Sequence, residues 1–194
     1  MAGAGTLLPQ GNPGRAALIF ITVGTGRQGF RRLVEGIDQL VGSGALAEGP
    51  VLMQIGHIAG FVPRFCEWQD FFGPEDFARW LREADVVVTH AGCGTLRQAI
   101  RLGKTPVVMP RLRRYGEHVN DHQLELLEAF SSAGLVVPAL EKQDLPRAIA
   151  QARLRQRTTP GVREESPMIA LVAKAIGELA GPRPHGWLAR LRGT

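Results

Sequence analysis

Apolar runs alternate along this chain with segments of helical periodicity. Mostly apolar runs at 18–23, 51–55, 85–89 and 105–109 predict β-strands, and shorter ones lie at 65–68 and 135–137. Between and after them, apolar residues at helical spacing predict helices over 30–41, 75–83, 95–102, 117–133, 141–155 and 163–180.

This order of elements predicts an α/β fold, a Rossmann-like parallel sheet with helices on both faces. The strands are apolar throughout rather than alternating, as expected when both faces of a sheet are covered. In such sheets ligands bind beyond the carboxyl ends of the strands. Candidate chemistry is therefore expected in the loops that follow these strands.

Composition fixes the scale of the protein. With 194 residues, 44% of them hydrophobic, the chain has room for one domain with a real core. We expect a disordered leader over 1–16, one domain over 17–156, and a C-terminal helix with a basic tail over 157–194. Two cysteines, Cys66 and Cys93, exclude a disulfide framework.

The net charge of +5 is compatible with nucleic acid, anionic lipid or an acidic small substrate. Aromatic residues make up 6% of the chain and do not alternate with the arginine clusters, which disfavours a single-strand nucleic-acid platform. Arg111, Arg113 and Arg114 suit an acidic ligand, although a solvated basic loop is the simpler interpretation.

A glycine turn, Thr22-Val-Gly-Thr-Gly26, follows the first predicted strand and precedes a helix. Glycines let backbone approach a ligand, and a helix N-terminus favours an anion. The turn lacks the lysine of a P-loop. The second strand ends in Gln54 rather than an acidic residue, so NAD is also a poor fit.

A second glycine turn, Thr89-His-Ala-Gly-Cys-Gly-Thr95, occupies the same position after another strand. Two such cradles at one edge of a sheet suit a diphosphate, and the plainer alternative is two tight turns. The helix N-terminus is expected to lower the pKa of the Cys93 thiol. Nothing else around Cys93 and His90 resembles a cysteine-nucleophile site.

The run Glu117-His-Val-Asn-Asp-His-Gln123 is unusually polar for a predicted helix start. If it is helical, His118 and His122 share a face and, with Asp121, suggest a metal site. A set of hydrogen-bonding groups for sugar hydroxyls is the sharper interpretation. The simplest is a solvated first turn in which Glu117 complements the helix dipole.

Taken together, these stretches resemble glycosyltransferase family 28, C-terminal domain. The resemblance rests on His90–Thr95, Gly103–Pro110 and Gly116–Gln123, and it covers about residues 18–150. Ile21–Thr25 and Gln54–Gly56 agree more narrowly with the small donor-binding subunit of two-part bacterial exopolysaccharide transferases. The chain is also similar to the cytosolic subunit of the dolichol-linked N-acetylglucosaminyltransferase.

The resemblance implies the C-terminal half of a GT-B glycosyltransferase, which holds the nucleotide of a UDP-sugar. The other half binds the acceptor, and in the subgroup it is a separate membrane-associated chain. The implied function is that of a donor-binding hexosyltransferase subunit, active with its partner. It would move a sugar, with inversion, to a polyprenyl-diphosphate-linked saccharide in exopolysaccharide or capsule synthesis.

The resemblance also implies roles for matching positions. The diphosphate would meet Thr25, Gly26, Gly92, Gly94 and Thr95. The uracil would lie beside Trp68, Gln69, Phe71 and Phe72. The donor sugar would face Asn120, Asp121, His122 and Gln123.

Two features qualify the comparison. Many relatives carry a glutamate for the ribose hydroxyls where this chain has Gln98, and an amide binds hydroxyls less strongly than a carboxylate. Inversion needs a base to take the acceptor proton. We expect that base in the partner, with His57 and His118 as weak candidates here.

The expected ligands and partners follow from this interpretation. We expect no cofactor and no metal, a UDP-sugar, a membrane-associated acceptor-binding subunit, a polyprenyl-diphosphate-linked acceptor and no nucleic acid. The protein would be cytoplasmic and peripheral at the inner face of the plasma membrane through its partner. The alternatives are a non-catalytic module of the same fold that stabilises a partner, and a basic nucleic-acid-binding protein.

Overall fold

A computed structural model of the chain describes residues 17–46 and 49–158, without the side chains of 157 and 158. The strands are β1 (Ile19–Thr22), β2 (Val51–Gln54), β3 (Glu67–Gln69), β4 (Val86–His90), β5 (Val107–Met109) and β6 (Val137–Pro138). The helices are α1 (Arg31–Gly42), α2 (Pro74–Glu83), α3 (Cys93–Arg101), α4 (His122–Ser132) and α5 (Leu145–Thr158). Short 3-10 turns lie at Arg113–Tyr115 and Lys142–Asp144.

The six strands form one parallel sheet in the order β3-β2-β1-β4-β5-β6. The register is regular, so Ile21 of β1 lies between Met53 of β2 and Val88 of β4. The direction of winding reverses between β1 and β4. A crevice opens beyond the carboxyl ends of the strands at such a switch point.

Helices cover both faces of the sheet. On one face, α1 and α5 bury residues such as Leu33, Ile37 and Ile149 against alternate strand residues. On the other face, α2 and α3 pack over β1 and β4, and α4 packs beside them over β5. Since both faces are covered, continuous apolar strands are stable here, and the predicted Rossmann-like α/β fold is confirmed.

The predicted helix over 117–133 was wrong at its beginning. Helix α4 begins at His122, and residues 117–121 are an irregular loop. Gly116 has a left-handed φ of 69°, which turns the chain before the helix, and buried contacts of Glu117 hold it there. His118 and His122 therefore do not share a helical face, and Glu117 does not complement the helix dipole.

Other boundaries differ less. Helix α3 begins two residues before the predicted position, at Cys93, and α5 runs past residue 156 to Thr158. The expected leader over 1–16, the helix over 163–180 and the tail beyond residue 158 lie outside the described residues. Within the described part of the chain, no helix is long and apolar enough to cross a bilayer.

Candidate functional site

A cavity of about 740 Å³ lies at the switch point, between the loop after β1 and helices α2 and α3. Its polar side is formed by the first glycine loop (residues 23–30) and the second glycine loop (residues 91–95). Its other side is largely apolar. The lining residues are Gly24, Thr25, Gly26, Gln54, Phe72, Pro74, Phe77, Ala78, Leu81, Arg82, His90, Gly92, Gly94, Thr95, Gln98, Arg101 and Leu102.

Two glycines of the cavity lining have no role in the fold that requires glycine. Neither Gly26 nor Gly94 has a positive φ. A Cβ built on Gly26 would meet only the end of the Gln28 side chain at 3.9 Å, and one built on Gly94 would meet nothing within 4 Å. Glycine inside a helix such as α3 costs about 1 kcal/mol relative to alanine. Neither backbone conformation nor packing therefore requires glycine at these two positions.

Two other glycines are required by the histidine that ends β4. A Cβ on Gly24, where φ is 73°, would lie 2.5 Å from Cε1 of His90. A Cβ on Gly92 would lie closer still to the ring of the same histidine. The imidazole of His90 therefore separates the two glycine loops, and both backbones pack directly against it.

His90 is neutral at physiological pH. Burial, with smaller contributions from the charge of Arg111 and from the neighbouring His118, lowers its pKa to about 4. Nδ1 lies 3.3 Å from the Thr89 hydroxyl oxygen. A neutral imidazole keeps one N–H, so it can donate one hydrogen bond without a charge.

Cys93 opens α3 beside these loops, but it is not an activated thiol. Burial raises the pKa of its thiol, which overturns the expectation that the helix N-terminus would lower it. Desolvation of the thiolate outweighs the hydrogen bond from the residue's own backbone N–H, which acts in the opposite direction. The cysteine-nucleophile interpretation loses its chemical basis.

Side chains of the polar run after β5 accept hydrogen bonds from the protein backbone. The side-chain oxygens of Gln123, Glu117 and Asp121 accept hydrogen bonds from the successive backbone N–H groups of residues 111, 112 and 113, at 2.9, 3.0 and 2.9 Å. We refer to these three acceptors as the amide clamp. They fix the path of the chain where it leaves the sheet.

A buried ion pair anchors the amide clamp to α1. Arg32 donates to both carboxylate oxygens of Glu117, from Nε at 3.0 Å and from Nη2 at 2.9 Å. Both side chains are under one-tenth exposed. The same guanidinium also donates to the backbone oxygens of Pro110 and Leu140, so all three of its nitrogen atoms donate hydrogen bonds.

Arg111 is buried rather than part of a solvated basic loop, which corrects the simpler sequence interpretation. It is 3% exposed, and its guanidinium lies 4.8 Å from the centre of the Phe30 ring. Burial lowers its pKa to about 10, so it remains protonated at neutral pH. Arg113 and Arg114, by contrast, are exposed, as that interpretation expected.

This geometry agrees with the comparison against protein families. Residues 18–171 match the model of the glycosyltransferase family 28 C-terminal domain. The chain belongs to that family. Comparison with curated proteins gives no significant match.

Solved glycosyltransferases share the fold. The glycotransferase of kitacinnamycin superposes with a TM-score of 0.57 at 19% identity, over 92% of this chain and 43% of that one. The calicheamicin glycosyltransferase CalG4 gives 0.51 at 20% identity, over 90% and 46%. The solution structure of ALG13 gives 0.48 at 16% identity, over 76% and 89%.

These superpositions establish the fold. The predicted architecture, the C-terminal half of a GT-B glycosyltransferase, is confirmed. The chain spans less than half the length of the first two of these structures, so it corresponds to one of their two halves.

Within this family-28 domain, the structure brings many of the predicted positions together. All five predicted diphosphate positions line the cavity, as does Gln98 on the exposed side of α3. Of the four predicted uracil positions, Phe72 lines it, with its backbone N–H bonded to Oε1 of Gln54 at 3.1 Å.

The other predicted positions lie outside the cavity lining. Trp68 packs against the core on the opposite face of the sheet, and Gln69 is exposed. Phe71 is partly exposed, and its ring stands 4.9 Å from the exposed ring of His57. His118 lies in the irregular loop before α4, near enough to His90 to affect its charge.

The four predicted sugar-facing residues also lie beyond the cavity lining. Asp121 and Gln123 belong to the amide clamp, and Gln123 is buried. Oδ1 of Asn120 accepts from the backbone of His122 at 3.3 Å. Nδ1 of His122 lies 3.3 Å from Glu125. Contact of these residues with a donor sugar stays a prediction.

Sequence reasoning missed the apolar and cationic parts of the lining. Phe77, Leu81 and Arg82 of α2 and Arg101 of α3 all face the cavity. These four positions lie outside the motifs, so they gave no signal beyond helical periodicity. For His90 a signal was present, since it ends the clearest strand between two glycine turns.

The described residues also bear on metal chemistry. No group of three or more His, Cys, Asp or Glu side chains within 17–46 and 49–158 is arranged to hold a metal ion. Since His118 and His122 lie on different elements, the metal interpretation of the polar run loses its geometry. That the reaction needs no metal stays a prediction.

Proposed function

We propose that this chain is the donor-binding subunit of an inverting glycosyltransferase that uses a UDP-sugar. In this proposal it transfers a hexose to a polyprenyl-diphosphate-linked saccharide in exopolysaccharide or capsule synthesis, together with a membrane-associated acceptor-binding subunit. The observation that carries the proposal is the pair Gly26 and Gly94. Both face the switch-point cavity, and neither conformation nor packing explains a glycine there.

The two sides of the cavity suit the two ends of UDP. Phe72, Pro74 and Phe77 offer an apolar wall for a flat base. The glycine loops offer backbone N–H groups, and the N-terminus of α3 carries the positive end of a nine-residue helix dipole. Gln98, one turn into α3, lies between them and is the candidate ribose contact.

The positive charges around the cavity support the binding of an anionic ligand without a bound metal cation. Arg82 and Arg101 line the cavity, and Arg111 lies buried behind the first glycine loop. Leaving-group stabilisation by fixed dipoles and arginines needs no reorganisation during the reaction. His90 lines the cavity between the loops, and because its imidazole is neutral at physiological pH it adds no charge there.

The partner subunit would complete the site. The chain spans less than half of the length of two-domain glycosyltransferases that share its fold. This proposal assigns the acceptor and the base that takes its proton to the partner, with His57 and His118 as the weaker candidates in this chain. In this proposal the protein is cytoplasmic and is held at the inner face of the plasma membrane by that partner.

Calorimetry of the full chain with UDP tests the proposal, in magnesium and in EDTA. We expect micromolar binding that EDTA does not change. Gly26→Val places a side chain in the cavity and should weaken UDP binding roughly tenfold or more, about 1.4 kcal/mol or above. Gly73→Val is the matched control, because a Cβ on Gly73 meets nothing within 4 Å and Gly73 does not line the cavity.

A second measurement separates the donor sugar from the nucleotide. Asn120→Ala and His122→Ala, outside the amide clamp, should reduce transfer by the reconstituted complex more than they reduce UDP binding. Equal losses in both would contradict the sugar-facing assignment. Absence of UDP binding by the chain and by its complex would favour the alternative, a partner-stabilising module without a donor.

A further inference from the structure

Arg111 connects the two ends of the first glycine loop. Its Nη2 donates to the backbone oxygen of Val23 at 2.8 Å, where the loop leaves β1. Its Nη1 donates to the backbone oxygen of Gln28 at 2.6 Å and lies 3.3 Å from that of Gly29, where the loop reaches α1. One rigid guanidinium thus fixes the distance between the ends of the loop.

The middle of the loop depends on those ends. Thr25 and Gly26 are exposed and line the cavity. Within the described part of the chain, neither residue makes a hydrogen bond to another. Next to Val23, the backbone N–H of Gly24 donates to the Thr22 hydroxyl, and the backbone oxygen of Gly24 accepts weakly from Gln54. The position of Thr25 and Gly26 is therefore set by the clamped ends.

Arg111 is itself held in place from several directions. Its backbone N–H donates to Gln123 of the amide clamp at 2.9 Å. Its guanidinium packs over Phe30 and reaches the backbone oxygen of Glu117 at 3.4 Å. The carboxylate of Glu117 is occupied by Arg32 and a backbone N–H. No acidic side chain in the described ranges forms an ion pair with Arg111.

We propose that Arg111 is a positioning residue for diphosphate binding. Its planar fork bridges Val23 and Gln28 and so holds Thr25 and Gly26 at the cavity, while its buried charge, bonded to carbonyl groups, strengthens the positive potential there. This inference rests on the proposed function. It also gives the polar run after β5 a role in the site, because the amide clamp sets the position of Arg111.

The test replaces the guanidinium of Arg111 with two different side chains. Arg111→Lys keeps a charge but presents a compact ammonium that cannot reproduce the bridging geometry. Arg111→Met removes the charge and all donors. Arg79→Met is the matched control, since Arg79 is exposed on α2 and pairs with Asp76 away from the cavity lining.

The first readout compares UDP with uridine, which lacks phosphates. We expect Arg111→Lys to weaken UDP binding roughly tenfold, as for loss of a hydrogen bond to a charged group, and uridine binding less than twofold. A merely structural role would lower both affinities equally, and that result would overturn the inference. Arg79→Met should change neither affinity.

The second readout is amide hydrogen exchange of the full chain without ligand. Exchange should become faster over residues 24–28 in both Arg111 variants and remain unchanged over 92–95. Unchanged exchange in the first glycine loop would overturn the inference whatever the ligand result. If neither the wild-type chain nor its complex binds UDP or uridine, the proposed function fails, while exchange still decides whether Arg111 holds the loop.

Discussion

The two glycine loops occupy equivalent positions on either side of the switch point, yet they are held by different means. The second loop passes within two residues from β4 into α3, so the helix itself directs its backbone N–H groups. The first loop takes eight residues, from 23 to 30, between β1 and α1. It is clamped by Arg111, more than 80 residues away along the chain.

The difference shows how one kind of site is built in two ways. A helix N-terminus orients its donors through local backbone geometry alone. A longer loop has conformational freedom that must be removed by contacts from elsewhere. His90 belongs to both arrangements, because the backbones of Gly24 and Gly92 pack against the same ring.

The largest expected effect comes from the support of the first loop. Glu117→Ala removes the carboxylate that accepts two hydrogen bonds from the buried Arg32, which keeps a longer ion pair with Glu141 at 3.6 Å. It also removes one acceptor of the amide clamp. Breaking a buried ion pair from one side costs roughly 3–5 kcal/mol. Urea denaturation should show a loss of this size, and hydrogen exchange should rise more in the first loop than in the second.

Glu128→Ala is the control for this change, because Glu128 is exposed on α4. It should leave the free energy of unfolding nearly unchanged. A loss for Glu117→Ala no larger than that of the control would show that the ion pair does not support the loop.

The next effect compares the glycines that meet His90. Gly24→Ala adds a methyl group 2.5 Å from the ring and places alanine at a φ of 73°, which together cost roughly 2–5 kcal/mol. Gly92→Ala brings only the steric conflict and should cost roughly 1–3 kcal/mol. Thermal or urea unfolding of both variants measures the difference.

Double variants that also carry His90→Ala separate the cost of the steric conflict from the cost of the backbone conformation. Removing the ring should rescue most of the loss in Gly92→Ala and only part of the loss in Gly24→Ala. Strictly additive losses in the double variants would contradict a clash with His90.

A smaller effect concerns the pH dependence of stability that arises from His90, the histidine that both glycine loops contact. The pKa of His90 is about 4 in the folded chain, whereas an unfolded histidine titrates near 6.5. Between these values the unfolded chain binds more protons. Stability therefore rises with pH across this window, is complete above it, and is lost as pH falls through about 6.5 towards about 4.

His90→Gln should flatten this part of the stability profile, measured by urea denaturation at several pH values. His57→Gln is the control, because His57 is exposed. An equal slope in the wild-type chain and in His90→Gln would assign the pH dependence to other groups.

The smallest effect on stability has the opposite sign. Gly94→Ala fills open space inside α3 and should stabilise the protein by up to about 1 kcal/mol. The same methyl group faces the cavity, so UDP binding should weaken. Thermal unfolding and calorimetry on one variant measure both changes. A higher free energy of unfolding with unchanged UDP affinity would contradict the proposal that Gly94 is glycine because a ligand approaches its backbone.

Sequence reasoning picked out positions that the fold brings together at one cavity, and their contact with a ligand stays a prediction. All five diphosphate positions and Gln98 line one cavity, because parallel strands must bring their carboxyl ends to one edge. The residues opposite them could not be found in this way. Phe77, Leu81 and Arg101 sit on helices whose rotation about the sheet decides which side chains face the cavity.

The polar run after β5 shows why its local structure could not be predicted from its composition. Its composition fits a helix start, a metal site or a sugar site equally well, because hydrogen-bonding capacity does not specify a partner. In the folded chain its carboxylates and amide bond to backbone N–H groups and Arg32. These partners become neighbours only when β5, α1 and α4 pack.

By itself, the sequence determined the order of strands and helices, the α/β class, the two glycine turns and the family. These properties depend on hydrophobic periodicity and on short motifs, which act within a few residues. Tertiary structure decided that Arg111 is buried, that Cys93 is not activated, that His90 is neutral and that α4 begins at His122. Each of these depends on desolvation or on contacts between distant segments, which exist only once both faces of the sheet are covered.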